Sequence, residues 1–142
     1  MEQLKIYLSG GMSGLSENEQ KKWRKQIRDA ILYGDYDYEK KPSFFDPTEY
    51  YMPNSCEHKS EKEAMEFDLN ALRKSDLIVV NFNAPKSIGT AMELMLAKEC
   101  HIPIIGLNKD GITLHPWLVE CCTRMCDDMR ELVNHVVDFY LK

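Results

Sequence analysis

One run of residues limits the architectures open to this chain more than any other. Asp76-Leu77-Ile78-Val79-Val80-Asn81-Phe82 is apolar through its middle, with no polar residue alternating into it. A strand with one wet face alternates apolar and polar side chains, and a strand covered on both faces does not. The run therefore reads as the central strand of a parallel sheet with helices packed on both sides.

The rest of the chain alternates accordingly. Lys5-Ile6-Tyr7-Leu8 is a first strand closed by Ser9-Gly10-Gly11. Ser16 or Asn18 caps a helix running to about Tyr33, with Trp23, Ile27, Ala30 and Ile31 along one face. Pro42-Ser43-Phe44-Phe45 is a second strand, and Thr48 to Glu57 an ordered aromatic loop. A second helix is expected from about Ser60 to Lys74 and a third from about Gly89 to Cys100. A fourth strand follows at Ile102 to Leu107, with Pro103 at its start where a missing N–H is tolerated. A short helix near Pro116 to Cys121, a weak fifth strand at Arg124 to Cys126 and a last helix from about Asp128 to Leu141 complete the pattern. The expected fold is α/β: a flavodoxin-like (Rossmann-like) three-layer sandwich, five parallel strands in the order 2-1-3-4-5, in one domain spanning 1–142. Ligands of such sheets sit at the strands' carboxyl ends where the order reverses, here between strands one and three. The loops to watch are Ser9–Gly14 and Asn83–Gly89.

Composition narrows the partners. The net charge is −5, which supplies no basic field for a nucleic acid polymer. No apolar run is longer than the four residues of Leu77–Val80, so no membrane span is expected, and the first residues lack a signal-peptide pattern. The five cysteines, Cys56, Cys100, Cys121, Cys122 and Cys126, contain no C-x-x-C pair. They read as buried, reduced thiols of a cytoplasmic protein, and no metal site is expected.

Two carboxylates stand out. Asp68 has Ala64, Met65, Ala71 and Leu72 at its helical neighbour positions, which places it on a buried stripe. An acid there has its pKa raised and can hold a proton near neutrality; the alternative is an Asp at the stripe's edge bonded to a loop N–H. Glu93 is the one early acid in the nearly all-apolar helix Ala91–Ala97, which reads as buried all round. It is either a first-turn residue favoured by the helix dipole or a nucleophile or base held ionised at the strand ends. Gly89, four residues earlier on the same face, leaves room for a ligand to approach. The loop Ser9-Gly10-Gly11-Met12-Ser13-Gly14 offers backbone N–H groups to a sugar or phosphate, but lacks the spacing of a dinucleotide fingerprint and the lysine of a P-loop.

Three blocks, Lys5-Ile6-Tyr7-Leu8-Ser9-Gly10-Gly11-Met12, Asp68-Leu69-Asn70 with Ser75-Asp76-Leu77-Ile78, and Ser87-Ile88-Gly89-Thr90-Ala91-Met92-Glu93-Leu94, resemble the nucleoside 2-deoxyribosyltransferase family. The likeness runs from strand one through strand four. It implies an enzyme that cleaves the N-glycosidic bond of 2′-deoxynucleosides or their 5′-monophosphates and needs no cofactor. It makes Glu93 the nucleophile that forms a glycosyl ester, Asp68 the residue that contacts the base and assists its departure, and Tyr7 the partner that holds the nucleophile. Ser9, Gly10, Gly11, Met12, Ser87 and Gly89 become substrate-binding positions. Ser87 stands where transferases often carry Asp and the 5′-monophosphate N-hydrolases carry Ser, which favours a phosphorylated substrate. The first loop lacks the hydrolases' Arg, which opposes it. His115 falls roughly where the hydrolases bring in a Ser from a neighbouring subunit; otherwise it is a turn histidine before Pro116.

The leading expectation is thus transfer of a deoxyribosyl group from one nucleobase to another. The second is a 5′-monophosphate N-hydrolase with water as acceptor, and the third a nucleotide-binding module without turnover. The resemblance also implies a homodimer or higher even-numbered homo-oligomer. The loop Tyr50-Tyr51-Met52 either covers the base or packs in the core.

Overall fold

The computed structural model describes residues 1–50 and 59–142. Five parallel strands form one sheet: β1 (Gln3–Gly10), β2 (Lys41–Phe45), β3 (Leu77–Asn81), β4 (Ile104–Leu107) and β5 (Arg124–Cys126). Their order is β2-β1-β3-β4-β5, the expected one. The helices are α1 (Glu17–Leu32), α2 (Glu61–Arg73), α3 (Ile88–Glu99), α4 (Pro116–Cys121) and α5 (Met129–Val136).

Each strand sends alternate side chains to opposite layers. Leu4, Ile6 and Leu8 of β1, with Leu77 and Val79 of β3, pack against Trp23, Ile27 and Ile31 of α1 and against α5. Tyr7, Ile78 and Val80 point the other way, toward Leu72 of α2 and Leu94 and Ala97 of α3. The central run is buried on both faces, hence its unbroken apolar character.

The helix ends follow local chemistry. Ser16 accepts from Glu19 N–H while the Glu19 side chain accepts from Ser16 N–H, a reciprocal cap that starts α1. Ser60, Ser87 and Asp128 cap α2, α3 and α5 with one half of that arrangement, each side chain accepting from the N–H three residues on.

The last helix reaches Leu141 as expected, α5 giving way at Val137 to a π turn through Leu141. The wider turn keeps Val136, Val137 and Leu141 all buried, and the Leu141 carbonyl accepts the Glu39 and Lys40 N–H groups. Two expectations need correction. Helix α3 is not buried all round, since Ile88, Met92 and Met95 are exposed; no described residue is layered over its outer face, and an apolar side chain is not obliged to be inside. Of the described cysteines, all free, only Cys126 is buried, and Cys100 is exposed at the end of α3. Cys56, Tyr51 and Met52 lie outside the described residues, and so does most of the expected aromatic loop; a 3-10 turn at Pro47–Tyr50 begins it. No described helix is long and apolar enough to cross a membrane.

Candidate active site

The sheet order reverses between β1 and β3. At their carboxyl ends lies a cavity of about 900 Å³. One wall is the α2 face carrying Ala64, Met65, Asp68 and Leu69. The other is the loop after β3 and the first turns of α3, with Pro85, Ser87, Gly89 and Glu93. Gly10 and Met12 close the base.

Glu93 sits in the second turn of α3, beyond reach of the first-turn dipole reading. Its surroundings are set by β1. Tyr7 and Ser9 are two apart on one strand and face the same layer. The Ser9 hydroxyl donates to Glu93 Oε1 at 3.3 Å. The Tyr7 hydroxyl lies buried behind the carboxylate, outside strict hydrogen-bond geometry, and still favours the charged form. Burial is the larger influence, and it pushes the Glu93 carboxyl up to about 7. Asp68, across the cavity, adds to the rise, while Tyr7, Ser9 and Arg24 oppose it. Desolvation thus outweighs the donors, and the carboxyl titrates close to neutrality. Tyr7 itself is kept a neutral phenol, chiefly by burial and next by the Glu93 charge.

Asp68 lines the cavity together with Ala64 and Met65. The apolar stripe that singled it out therefore faces the ligand space as much as the core: Leu72 is buried, whereas Met65 is exposed. Ser87 Oγ accepts from Thr90 N–H at 3.3 Å and from Thr90 Oγ1 at 3.0 Å, so neither bond uses its own hydroxyl proton. Beside it, Gly89 has no atom within 4 Å of where a Cβ would stand. A Cβ on Gly10 would lie 2.7 Å from Trp23 Cζ2, and one on Gly11 2.3 Å from the Ala84 Cβ. Both glycines are thus required by packing, and Gly11 N–H is held by Asn83 Oδ1 at 3.1 Å. His115 is apart from the cavity. It is exposed, and its Nδ1 accepts from Trp117 N–H at 3.1 Å to cap α4.

Sequence reasoning missed two supports. Phe45 stacks on Tyr7 with ring centroids 5.2 Å apart, and Tyr50 stacks on Phe45 at the same spacing. Tyr50 in turn meets Phe67 of α2 edge-on, so an aromatic ladder runs from the nucleophile's neighbour to the helix bearing Asp68. Arg24 is the other, a fully buried guanidinium. Its only sequence signal is its place three residues before Ile27 and seven before Ile31, on the buried stripe of α1.

Residues 3–111 match the family model described as nucleoside 2-deoxyribosyltransferase like. The chain belongs to that family. Its fold is shared by a 2-deoxyribosyltransferase of Bacillus psychrosaccharolyticus (TM-score 0.71, 19% identity, 92% of this chain and 90% of that one). A 2-deoxyribosyltransferase of Leishmania mexicana is also similar (0.66, 16%, 97% and 99%), as is a CMP N-glycosidase of Clostridium botulinum (0.62, 15%, 96% and 99%). At these identities the likeness speaks for the fold. A search of curated proteins finds no match.

Proposed function

We propose that this family member cleaves the N-glycosidic bond of 2′-deoxynucleosides or their 5′-monophosphates through a glycosyl ester on Glu93, and passes the deoxyribosyl group to a second nucleobase. The observation that carries the reading is the placement of Glu93 at the wall of a cavity with ample room for a nucleoside, with the Ser9 hydroxyl donating to its carboxylate and Tyr7 beside it.

In the first step the ionised Glu93 oxygen bonds to C1′ as the C1′–N bond breaks. The bonding pair leaves with the base, which takes a proton from the Asp68 side of the cavity. In the second step the acceptor nitrogen bonds to C1′ and its N–H proton returns to the Asp68 side of the cavity, while the ester C–O bond breaks and Glu93 is released as a carboxylate. Both displacements invert C1′, so the β-configuration is retained, by the logic of retaining glycosidases. Two carboxyl groups in different surroundings divide the work between nucleophile and acid.

A second reading, hydrolysis of 5′-monophosphates with water as acceptor, is favoured by Ser87 at the head of α3, where a phosphate would meet a hydroxyl and the unpaired N–H groups of a helix start. The relatives that share the fold include both transferases and an N-glycosidase. The test is a product assay on a 2′-deoxynucleoside and its 5′-monophosphate, each with and without a second base. A new nucleoside formed only when the second base is present supports transfer. Free sugar phosphate regardless of it supports hydrolysis. Tight binding with no product in any arm overturns both.

A further inference from the structure

Arg24 lies on the opposite side of the sheet from Glu93. It projects from α1, beside Trp23, whose ring its guanidinium covers at 4.6 Å. Burying such a charge is expensive unless its donors are satisfied. Here Nε donates to the Leu8 carbonyl at 3.2 Å and one terminal nitrogen to the Gly10 carbonyl at 3.3 Å, while the other donates to Gln20 O. Asp46 approaches Nε at 3.7 Å as the counter-charge.

The position of these bonds in the ladder gives them a purpose. Strand β1 pairs with β2 only as far as Tyr7 opposite Phe45, yet pairs with β3 on to Gly10 opposite Asn81. Carbonyls two residues apart on a strand face the same edge. The Glu2 carbonyl accepts Lys41 N–H from the β2 side, so those of Leu8 and Gly10 face that side too, beyond the point where β2 has stopped. Arg24 supplies the donors that a longer β2 would have supplied. The two carbonyls flank Ser9, the residue whose hydroxyl holds Glu93.

We propose that Arg24 is a positioning residue for Glu93: its guanidinium fork, anchored by Asp46, fixes the Leu8–Gly10 segment and hence Ser9, and sets a buried positive charge behind the nucleophile. The inference rests on the reading of Glu93 given above. Among the described residues the groups that act on Glu93 are Tyr7 and Ser9 from β1, Asp68 from α2 and, through the sheet, Arg24 from α1; of the charged ones, Arg24 favours the ionised form and Asp68 opposes it.

The experiment uses R24K, R24Q, S9A, the R24K/S9A double variant and E93Q, with base release from a 2′-deoxynucleoside and from its 5′-monophosphate as the assay. R24K keeps the charge and loses the fork. Its kcat is expected to fall about 10- to 100-fold with KM nearly unchanged, the scale of a small misplacement at the reacting centre. Because Arg24 acts through Ser9, the R24K and S9A losses should not multiply: the double variant should be about as slow as the slower single one. R24Q also loses the charge, and the acidic limb of its rate profile should move to higher pH, while that of R24K stays in place. Losses that multiply in the double variant overturn the proposal. So does an R24Q profile that superimposes on the wild type with activity reduced only by the folded fraction. If R24Q does not fold, the R24K/S9A comparison decides. E93Q separates the two levels: retained cleavage by E93Q removes the nucleophile reading and this inference with it, whereas an inactive E93Q beside multiplying losses removes the inference alone.

Discussion

The Ser9 hydroxyl reaches Glu93 Oε1 across 84 positions of sequence. A strand end and a helix wall are thereby joined at one carboxylate. Most of what can be tested about this site follows from how that carboxylate is held. It sits where burial disfavours its charge and three neighbours, Tyr7, Ser9 and Arg24, restore part of it.

The rate should depend on pH through Glu93. Only the ionised form attacks, so kcat/KM should rise with pH and level off above about 7. Ser9 and Tyr7 lower the pKa and Asp68 raises it. S9A and Y7F should therefore move the acidic limb to higher pH, and D68N should move it to lower pH. Profiles of kcat/KM from pH 5 to 9 check the signs. A common shift of all three variants in one direction would remove Glu93 as the titrating group.

Stability should carry the same signature. The folded chain holds the Glu93 proton up to about pH 7, while an unfolded glutamate releases it near 4.5. Between those values the native state binds more protons than the unfolded state, so stability falls as pH rises. The penalty above pH 7 is on the order of 3 kcal/mol. E93Q should thus be more stable than the wild type at pH 8 and close to it at pH 5, while losing glycosidic cleavage. Denaturant midpoints at the two pH values measure this. An equal difference at both would mean that the carboxyl is not desolvated.

Two glycines of the cavity should respond in opposite ways. An added Cβ at Gly10 strikes the Trp23 ring at 2.7 Å, inside the α1 layer. G10A should destabilise by about 1–3 kcal/mol, the usual range for overpacking. At Gly89 the added methyl meets only open space at the cavity wall. G89A should leave stability unchanged or slightly higher, as Ala favours the helix, and raise KM by obstructing the sugar. Melting temperature and KM for both variants separate the cases. A G89A protein with unaltered KM would show that the ligand keeps clear of this wall.

The architecture was legible because it is written in long patterns. The apolar run at Leu77–Val80 and the alternation of elements mark a parallel sheet covered on both faces, its order is the expected one, and Ser16, one of two candidate caps, starts the first helix. Asp68 and Glu93 were legible as acids among apolar neighbours, and both line the cavity. The protonation state of Glu93 was not, because it depends on Tyr7 and Ser9 approaching from a strand far away in sequence. Arg24 escaped for a related reason. Of its neighbours one turn away, Gln20, Lys21 and Arg28 are polar and Ile27 is apolar, so the local signal is weak, and its partners Leu8, Gly10 and Asp46 come from β1 and the residue after β2. His115 was legible as a turn residue before Pro116, and there its Nδ1 caps a short helix.

The role of Asp68 is best tested through the leaving group. If its side of the cavity delivers the proton to the departing base, a base that leaves readily without protonation needs little help, and a poor leaving group needs much. General acid assistance contributes typically 10²–10⁴-fold. D68N should therefore be slowed most with the poorest leaving base and least with the best one, so that its rate depends more steeply on leaving-group acidity than the wild-type rate does. A series of 2′-deoxynucleosides carrying bases of graded acidity, assayed above the acidic limb of each enzyme, gives the two slopes. Working on the plateau matters, because D68N also eases ionisation of Glu93 and would gain rate at low pH for that separate reason. Equal slowing across the series would assign Asp68 to base binding and leave the proton to come from elsewhere.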